Sequence, residues 1–315
     1  MKVESAFSPA GISSFFKIHD RDENGVPIKD PKHIGALGGG FVISEGVTTR
    51  VKASKSEQDS VRVFINGQLS DQALTTKAVV EKVLAVVGEH FKVDVEHEVR
   101  VPIGAGFGAS GAGALSTALA LSRLFELEHS LNQIGMLAHA AEIEAKTGLG
   151  TVAALMVGGC VLTVEAGGPG IASVDRLLVP ADVRLLAVYI RPIYTKSVLG
   201  KPELRERINT LGEDALTRIR NKPTLTEFYK HSLNFAENLG LMTDRLRRVI
   251  SALQDAGAIG ATQNMVGEAA HSTFDADDAE KAAERIGKLF PSYKVFTFDI
   301  DPAGARLLGR SQRQS

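Results

Sequence analysis

At 315 residues the chain exceeds a typical single domain, and with 44% hydrophobic and 23% charged residues it has the composition of a water-soluble globular protein. A net charge of −1 argues against a polyanion-binding surface, and a single cysteine, Cys160, excludes internal disulfides and cysteine-cluster metal sites. No apolar run reaches the ~18 residues of a membrane span, and the opening Met-Lys-Val-Glu-Ser-Ala-Phe lacks the apolar core of a secretion signal, so a cytoplasmic location is expected.

In chain order, residues 1–64 read as strands and loops, with short β-type runs at Val3–Phe7, Phe41–Ile43, Thr48–Lys52 and Val61–Ile65. Between them lie a charged, turn-rich segment, Asp20–Pro31, and a glycine cluster, Gly38–Gly40. A helix is expected over Ala73–Val87. The next run alternates Val93, Val95, Val99 and Val101 with Asp94, Glu96, Glu98 and Arg100, the mark of a half-buried and usually antiparallel strand. Helical patterns follow at 113–125 and Leu131–Lys146, and then an apolar stretch at Met156–Val164.

The character changes near Pro180. A strand at Val183–Ile190 ends in Arg191-Pro192, and three helical segments follow at Glu203–Ile219, Leu225–Asn238 and Thr243–Asp255. The basic stretches 205–220 and 244–248 read as solvated helix faces. A small-residue stretch at Gly257–Gly267, a helix at Ala276–Leu289 and a strand at Tyr293–Ile300 complete the pattern. Strands first and helices later, with few βαβ units, predict an α+β fold, divided into domains 1–180 and 181–315. The first is expected to carry a mixed or antiparallel sheet, the second to be helix-rich.

One segment stands out: Pro102-Ile-Gly-Ala-Gly-Phe-Gly-Ala-Ser-Gly-Ala-Gly113, set between an expected strand and an expected helix. Glycines admit a close backbone approach, and the free N–H groups and dipole of a following helix attract phosphate. Gly106-Phe-Gly-Ala-Ser-Gly111 has the spacing of a dinucleotide fingerprint. The alternating strand before it and the two helices after it do not suit a Rossmann unit. A Walker A loop is excluded because no Gly-Lys-Ser/Thr follows, and Gly108-Ala-Ser-Gly-Ala112 misses the nucleophile elbow at its last position. The plain alternative is a loop whose small residues only let a helix pack tightly on a sheet.

Pro102-Ile-Gly-Ala-Gly106-Phe-Gly108-Ala-Ser110-Gly-Ala112 resembles the second motif of the GHMP-type kinases, Pro-x-x-x-Gly-Leu-Gly-Ser-Ser-Ala-Ala. Phe107, Ala109 and Gly111 depart from it. Ala6–Phe16 and, loosely, Gly257–Gly267 lie where the family's first and third motifs lie. Within the group, Ser-Pro-Ala-Gly-Ile-Ser-Ser-Phe-Phe16, Gly38–Phe41, Ala141–Gly150 and Arg191–Leu199 resemble the archaeal pantoate kinase family. The resemblance implies a GHMP kinase-like two-domain fold, with ATP and Mg²⁺ used to phosphorylate the primary hydroxyl of pantoate to 4-phosphopantoate, on the route to coenzyme A. Alternatives are a kinase for homoserine or mevalonate, or a nucleotide-binding protein without catalysis. It is also compatible with a homodimer.

The resemblance carries residue roles. Pro102, Gly104, Ala105, Gly106, Phe107, Gly108, Ala109, Ser110, Gly111 and Ala112 would surround the ATP phosphates. Ser110 and Glu142 would serve catalysis and hold Mg²⁺, which takes oxygen ligands and few carboxylates. Without that role, Ser110 is a helix N-cap and Glu142 a surface partner of Lys146. His139, three residues before Glu142, reads as helix surface. For the substrate, Arg191 and Lys196 suit a carboxylate, and Ser13, Ser14 and His19 suit hydroxyls. Many GHMP kinases end the loop Thr147–Thr151 with an aspartate read as the catalytic base; here Thr151 stands in its place.

Overall fold

The computed structural model describes residues 2–192, 202–265 and 267–309. Its first 55 residues form two long strands rather than several short ones. β1 (Lys2–His19) and β2 (Gly35–Lys55) pair antiparallel from Lys2↔Ala53 to His19↔Gly35, with bulges at Pro9/Ala10 and Ser13/Phe15. The breaks between the expected runs fall at Ser8–Ser14, Gly38–Gly40 and Gly46, where the two backbones approach closely. A Cβ on Gly40 would strike the Ile12 carbonyl oxygen, and one on Gly46 that of Ser8.

β2 changes partner along its length. Gly38–Phe41 pairs with β6 (Cys160–Glu165), and Val47–Lys55 pairs with β5 (Phe91–Val99), both antiparallel. On its other side β5 runs parallel to β3 (Ser60–Ile65), which is joined to it through helix α1 (Leu74–Val87). Its alternation therefore reports one solvated face more than strand direction: Val93 and Val95 are buried, while Glu98 is exposed. Three short strands complete this sheet. β4 (Gln68–Leu69) pairs with β3, β7 (Ser173–Leu177) with β6, and β12 (Arg306–Leu307) with β1.

One face of the sheet is covered by α1 and α2 (Ala109–Leu124), with α3 (Leu131–Glu144) packed on both helices. α2 is buried almost all round, which explains its Ala, Gly and Ser content: it lies on β1 and β2 between α1 and α3. Its start is four residues earlier than the pattern predicts. The apolar stretch 156–164 divides at Gly158-Gly159, both at positive φ, into the end of α4 (Thr151–Val157) and the start of β6.

The second sheet is antiparallel, in the order β11-β8-β10-β9: β8 (Val183–Arg191), β9 (Gly260–Gln263), β10 (Glu268–Asp275) and β11 (Lys294–Asp299). Its helices are α5 (Pro202–Asn221), α6 (Leu225–Leu239), α7 (Asp244–Asp255) and α8 (Ala276–Leu289). β10, unforeseen in the sequence, is buried from Glu268 to Phe274 at the centre of the sheet. A shared apolar cluster joins the halves: Phe15 and Phe41 of the first sheet meet Phe228 of α6 at centroid distances of 5.9 and 5.2 Å. One mixed and one antiparallel sheet, each with its helices, agree with the expected α+β class. Among the described residues no helix is long and apolar enough to cross a membrane.

Candidate functional site

The glycine-rich loop leads from β5 into α2 with an alternating character. Gly104, Gly106 and Gly108 have φ of +76°, +75° and +61°, a conformation that side chains resist. Ala105 and Phe107 between them are buried, and Phe107 sets its ring edge against Phe298 of β11 at 6.2 Å. The inward residues anchor the loop while the glycines permit its turns. Pro102 is half-buried at its entry. The loop is gripped from three sides: the Gly11 N–H donates to the Phe107 carbonyl at 3.2 Å, Gly267 packs on Ala105, and Pro192 lies against Gly104.

Gly108, not Ser110, is the N-cap of α2, so Ala109, Ser110, Gly111 and Ala112 form its first turn. This corrects the capping alternative for Ser110, which is exposed on the helix with its hydroxyl 3.1 Å from that of Thr75. Thr75 lies in the first turn of α1 and reaches the Thr147 hydroxyl at 2.8 Å. Three segments thus converge on one hydroxyl cluster. No local motif marks Thr75, whereas Thr147 lies inside the segment Ala141–Gly150.

Glu142 stands next to this cluster, near the end of α3, and is 2% exposed. Its carboxyl accepts the backbone N–H groups of Gly150 and Thr151 at the start of α4, while Oε2 has no hydrogen-bond partner. Burial pushes its pKa up from 4.5 to about 7, outweighing the two N–H groups that lower it. A Cβ on Gly111 would lie 2.9 Å from Glu142 Oε1, so the glycine that departs from the motif gives the carboxyl its room. The surface pair with Lys146 does not exist: Lys146 lies beyond α3 at φ +56°, and Glu144, on the outer face, pairs with Lys82 at 2.7 Å.

His139 is fully buried, not surface. Its Nε2 donates toward the carbonyls of Pro31 and Ile34, each at 3.0 Å, and burial lowers its pKa. Among the described residues no three His, Cys, Asp or Glu side chains gather into a metal cage. Thr151 is the first residue of α4, with its methyl 3.3 Å from where a side chain on Gly108 would begin. Thr151 therefore faces the start of α2, with its methyl toward Gly108.

The residues expected to bind substrate divide. Ser13 is half-buried on β1, its carbonyl accepting the Met265 N–H at 2.8 Å. Ser14 is fully buried, and its hydroxyl, expected to bind substrate, is already engaged. It donates to His271 Nε2 at 2.8 Å, and His271 Nδ1–H donates to Asn264 Oδ1 at 2.8 Å. Burial pushes the His271 pKa down to about 3, so the ring is neutral and fixed in this tautomer. His19 lies at the far end of β1, about 26 Å beyond Gly11 along an extended strand, and is not brought to the loop. Lys196 falls outside the described residues.

Arg191 ends β8 beside Pro192 and the loop, and it ion-pairs with Glu268, a fully buried residue of β10. Arg245 of α7, expected on a solvated face, also bonds Glu268, at 3.0 and 3.2 Å. Thr243 donates to the same carboxyl at 2.7 Å. A separate cavity of about 770 Å³ opens on the other face of the first sheet, lined by Phe7, Arg50, Phe64, Asn66, Glu98 and Arg306 among others. None of the loop or cluster residues lines it.

The family described as "GHMP kinases N terminal domain" matches residues 74–165, from the first turn of α1 to the end of β6. A pantoate kinase of Methanospirillum hungatei is 31% identical, covering 96% of both chains. One of Thermococcus kodakarensis is 30% identical, covering 92% of this chain and 94% of the relative. A solved structure described as a phosphotransferase related to the CoA biosynthesis pathway superposes with a TM-score of 0.87 at 26% identity, over 99% of this chain and 100% of that one. The chain belongs to the pantoate kinase family of the GHMP kinases.

Proposed function

We propose that the protein transfers the terminal phosphoryl group of ATP to the primary hydroxyl of pantoate, giving 4-phosphopantoate. The observation that carries the reading is the full-length kinship with pantoate kinases. The glycine loop, the start of α2 and Glu142, brought together in one place, support it. The same reading divides the chain near residue 180, between β7 and β8, and has the enzyme act on a small molecule in the cytoplasm.

The donors fit Mg²⁺. Glu142 offers one buried, unpartnered carboxylate oxygen, and Ser110 offers a hydroxyl in the adjacent helix turn. One carboxylate with few protein oxygens is the donor set magnesium accepts when phosphates and water complete its shell. When bound, ATP with Mg²⁺ supplies the phosphoryl group and neutralises the charge that builds up during transfer. The backbone N–H groups of Gly104–Gly108 and the first turn of α2 hold the phosphates, with the helix dipole adding to their attraction. Ser110 and Glu142 fix the metal, and Thr75 and Thr147 orient the Ser110 hydroxyl. Arg191 takes the acceptor's carboxylate.

Thr151 cannot accept a proton near neutral pH. Phosphoryl transfer with a loose transition state depends chiefly on positioning and charge neutralisation, so the loss of a base there does not forbid the reaction. The same threonine is the observation that favours a second reading, a nucleotide-binding protein without turnover. ADP release from Mg-ATP, measured against pantoate, pantothenate, homoserine and mevalonate, separates them. Turnover restricted to pantoate is expected. Turnover with a different acceptor would remove the substrate, and ATP binding with no turnover on any acceptor would favour the second reading.

A further inference from the structure

Glu268 is a second buried carboxylate, and all its acceptor positions are filled. Oε1 accepts from the Thr243 hydroxyl at 2.7 Å and Arg245 Nε at 3.0 Å; Oε2 accepts from an Arg245 Nη at 3.2 Å and from Arg191 Nε. The residue is 0% exposed, yet the Arg191 and Arg245 side chains remain 59% and 41% exposed. One carboxylate thus holds two guanidinium groups, leaving one positive charge in excess. Arg191 bonds through Nε, so its two Nη nitrogens are not used in that pair.

Arg245 lies in the first turn of α7, where the helix dipole disfavours a cation. Buried ion pairs contribute little net stability, so holding two arginines on one carboxylate is a poor structural device. Its location is more telling. Arg191 stands opposite Glu268 in the β8–β10 register, and the next residue, Pro192, packs on Gly104. The residue before Glu268, Gly267, packs on Ala105. The cluster therefore borders the entry of the glycine loop, several residues before Ser110 and the phosphate-holding helix start.

We propose that Glu268 is a positioning residue that holds Arg191 and Arg245 as a paired guanidinium clamp for the carboxylate of the acceptor. The inference rests on the kinase reading above and deepens it by naming a second cation and the group that fixes both. Guanidinium groups bind carboxylates through paired N–H donors, and a fixed pair loses less freedom on binding than two free side chains.

The test compares pantoate with its primary amide, which keeps the hydroxyl and lacks the carboxylate, in the wild type and in R191A, R245A and E268Q. Each arginine variant is expected to raise KM for pantoate by about 10- to 100-fold, to leave KM for ATP within about twofold, and to act on the amide nearly as the wild type does. The wild-type preference for acid over amide then collapses. E268Q is expected to weaken that preference by about tenfold, with kcat less affected than KM. A merely structural role for Glu268 would change the melting temperature and leave the acid/amide ratio intact, which overturns the proposal. A rise in KM for ATP equal for both acceptors would assign the clamp to the nucleotide phosphates and also overturn it. R245K, at a half-buried site and with the charge kept, repeats the test if E268Q does not fold, and a fall in the acid/amide ratio is again the expected result. Should the wild type ignore pantoate, the substrate reading fails, and the acid/amide ratio measured on whichever acid it accepts still judges the clamp.

Discussion

Glu142 and Glu268 are both buried glutamates beside the glycine loop, and they stand in opposite electrostatic conditions. Glu142 has two backbone N–H groups and an empty oxygen, and burial raises its pKa to about 7. Burial also pushes Glu268 up, but the bonds from Thr243, Arg191 and Arg245 outweigh it and hold the carboxyl below its usual range. A buried carboxylate without a cation is costly unless one arrives. On the function proposed above, the first receives positive charge when the metal binds, and the second already holds it.

The largest effect expected from breaking this contrast is at Glu142. E142Q keeps the shape and removes the charge, and should lower kcat by about 100- to 1000-fold, with ATP binding largely retained; steady-state kinetics against nucleotide titration checks this. The second effect is on stability and has opposite signs at the two sites. Because the folded Glu142 pKa is raised from 4.5 to about 7, its contribution favours folding below pH 4.5 and is lost as pH rises through 7. The corresponding cost at pH 8 is about 3 kcal/mol. Glu268 is lowered, so its contribution is present above pH 4.5 and lost as the pH falls below it. Metal-free thermal melts should show E142Q gaining on the wild type at pH 8, and E268Q losing its disadvantage in acid.

A third, smaller effect tests the room made for Glu142. G111A places a methyl 2.9 Å from Oε1 and should cost about 1–2 kcal/mol of stability, with reduced turnover, read by melts and kcat. The smallest effect is expected at Thr75. T75V removes the hydroxyl that links Ser110 to Thr147, and a loss of about 1 kcal/mol in transition-state stabilisation should appear as a several-fold fall in kcat/KM.

Local pattern made much of this legible. α8 has the expected bounds and α1 starts one residue late, because their apolar positions repeat at helical spacing. The loop stood out through its order of glycines and serine, and Glu142 was singled out by the family resemblance. What pattern could not reveal depends on distant partners. β1 and β2 are held by backbones in close approach across glycine and serine, and β10 (Glu-Ala-Ala-His-Ser-Thr-Phe-Asp) has a fully buried centre that carries little strand propensity. The Glu268 cluster draws on residues 23 to 77 positions away. Arg245 looks like surface in a basic helix until the carboxylate beneath it is known.

The short strand β12 has a consequence for how the chain is made. It returns from the second half to pair with Ala6 and Phe7, Arg306 stacks over the Phe7 ring at 4.6 Å, and Ala305 enters the core under α2. During synthesis the first sheet emerges early, but its β1 edge at Ala6 and Phe7 stays open until residue 307 has left the ribosome. The amino-terminal half is thus completed late, by the most C-terminal of the described strands, and a nascent chain stopped at residue 180 would present an unfinished sheet edge.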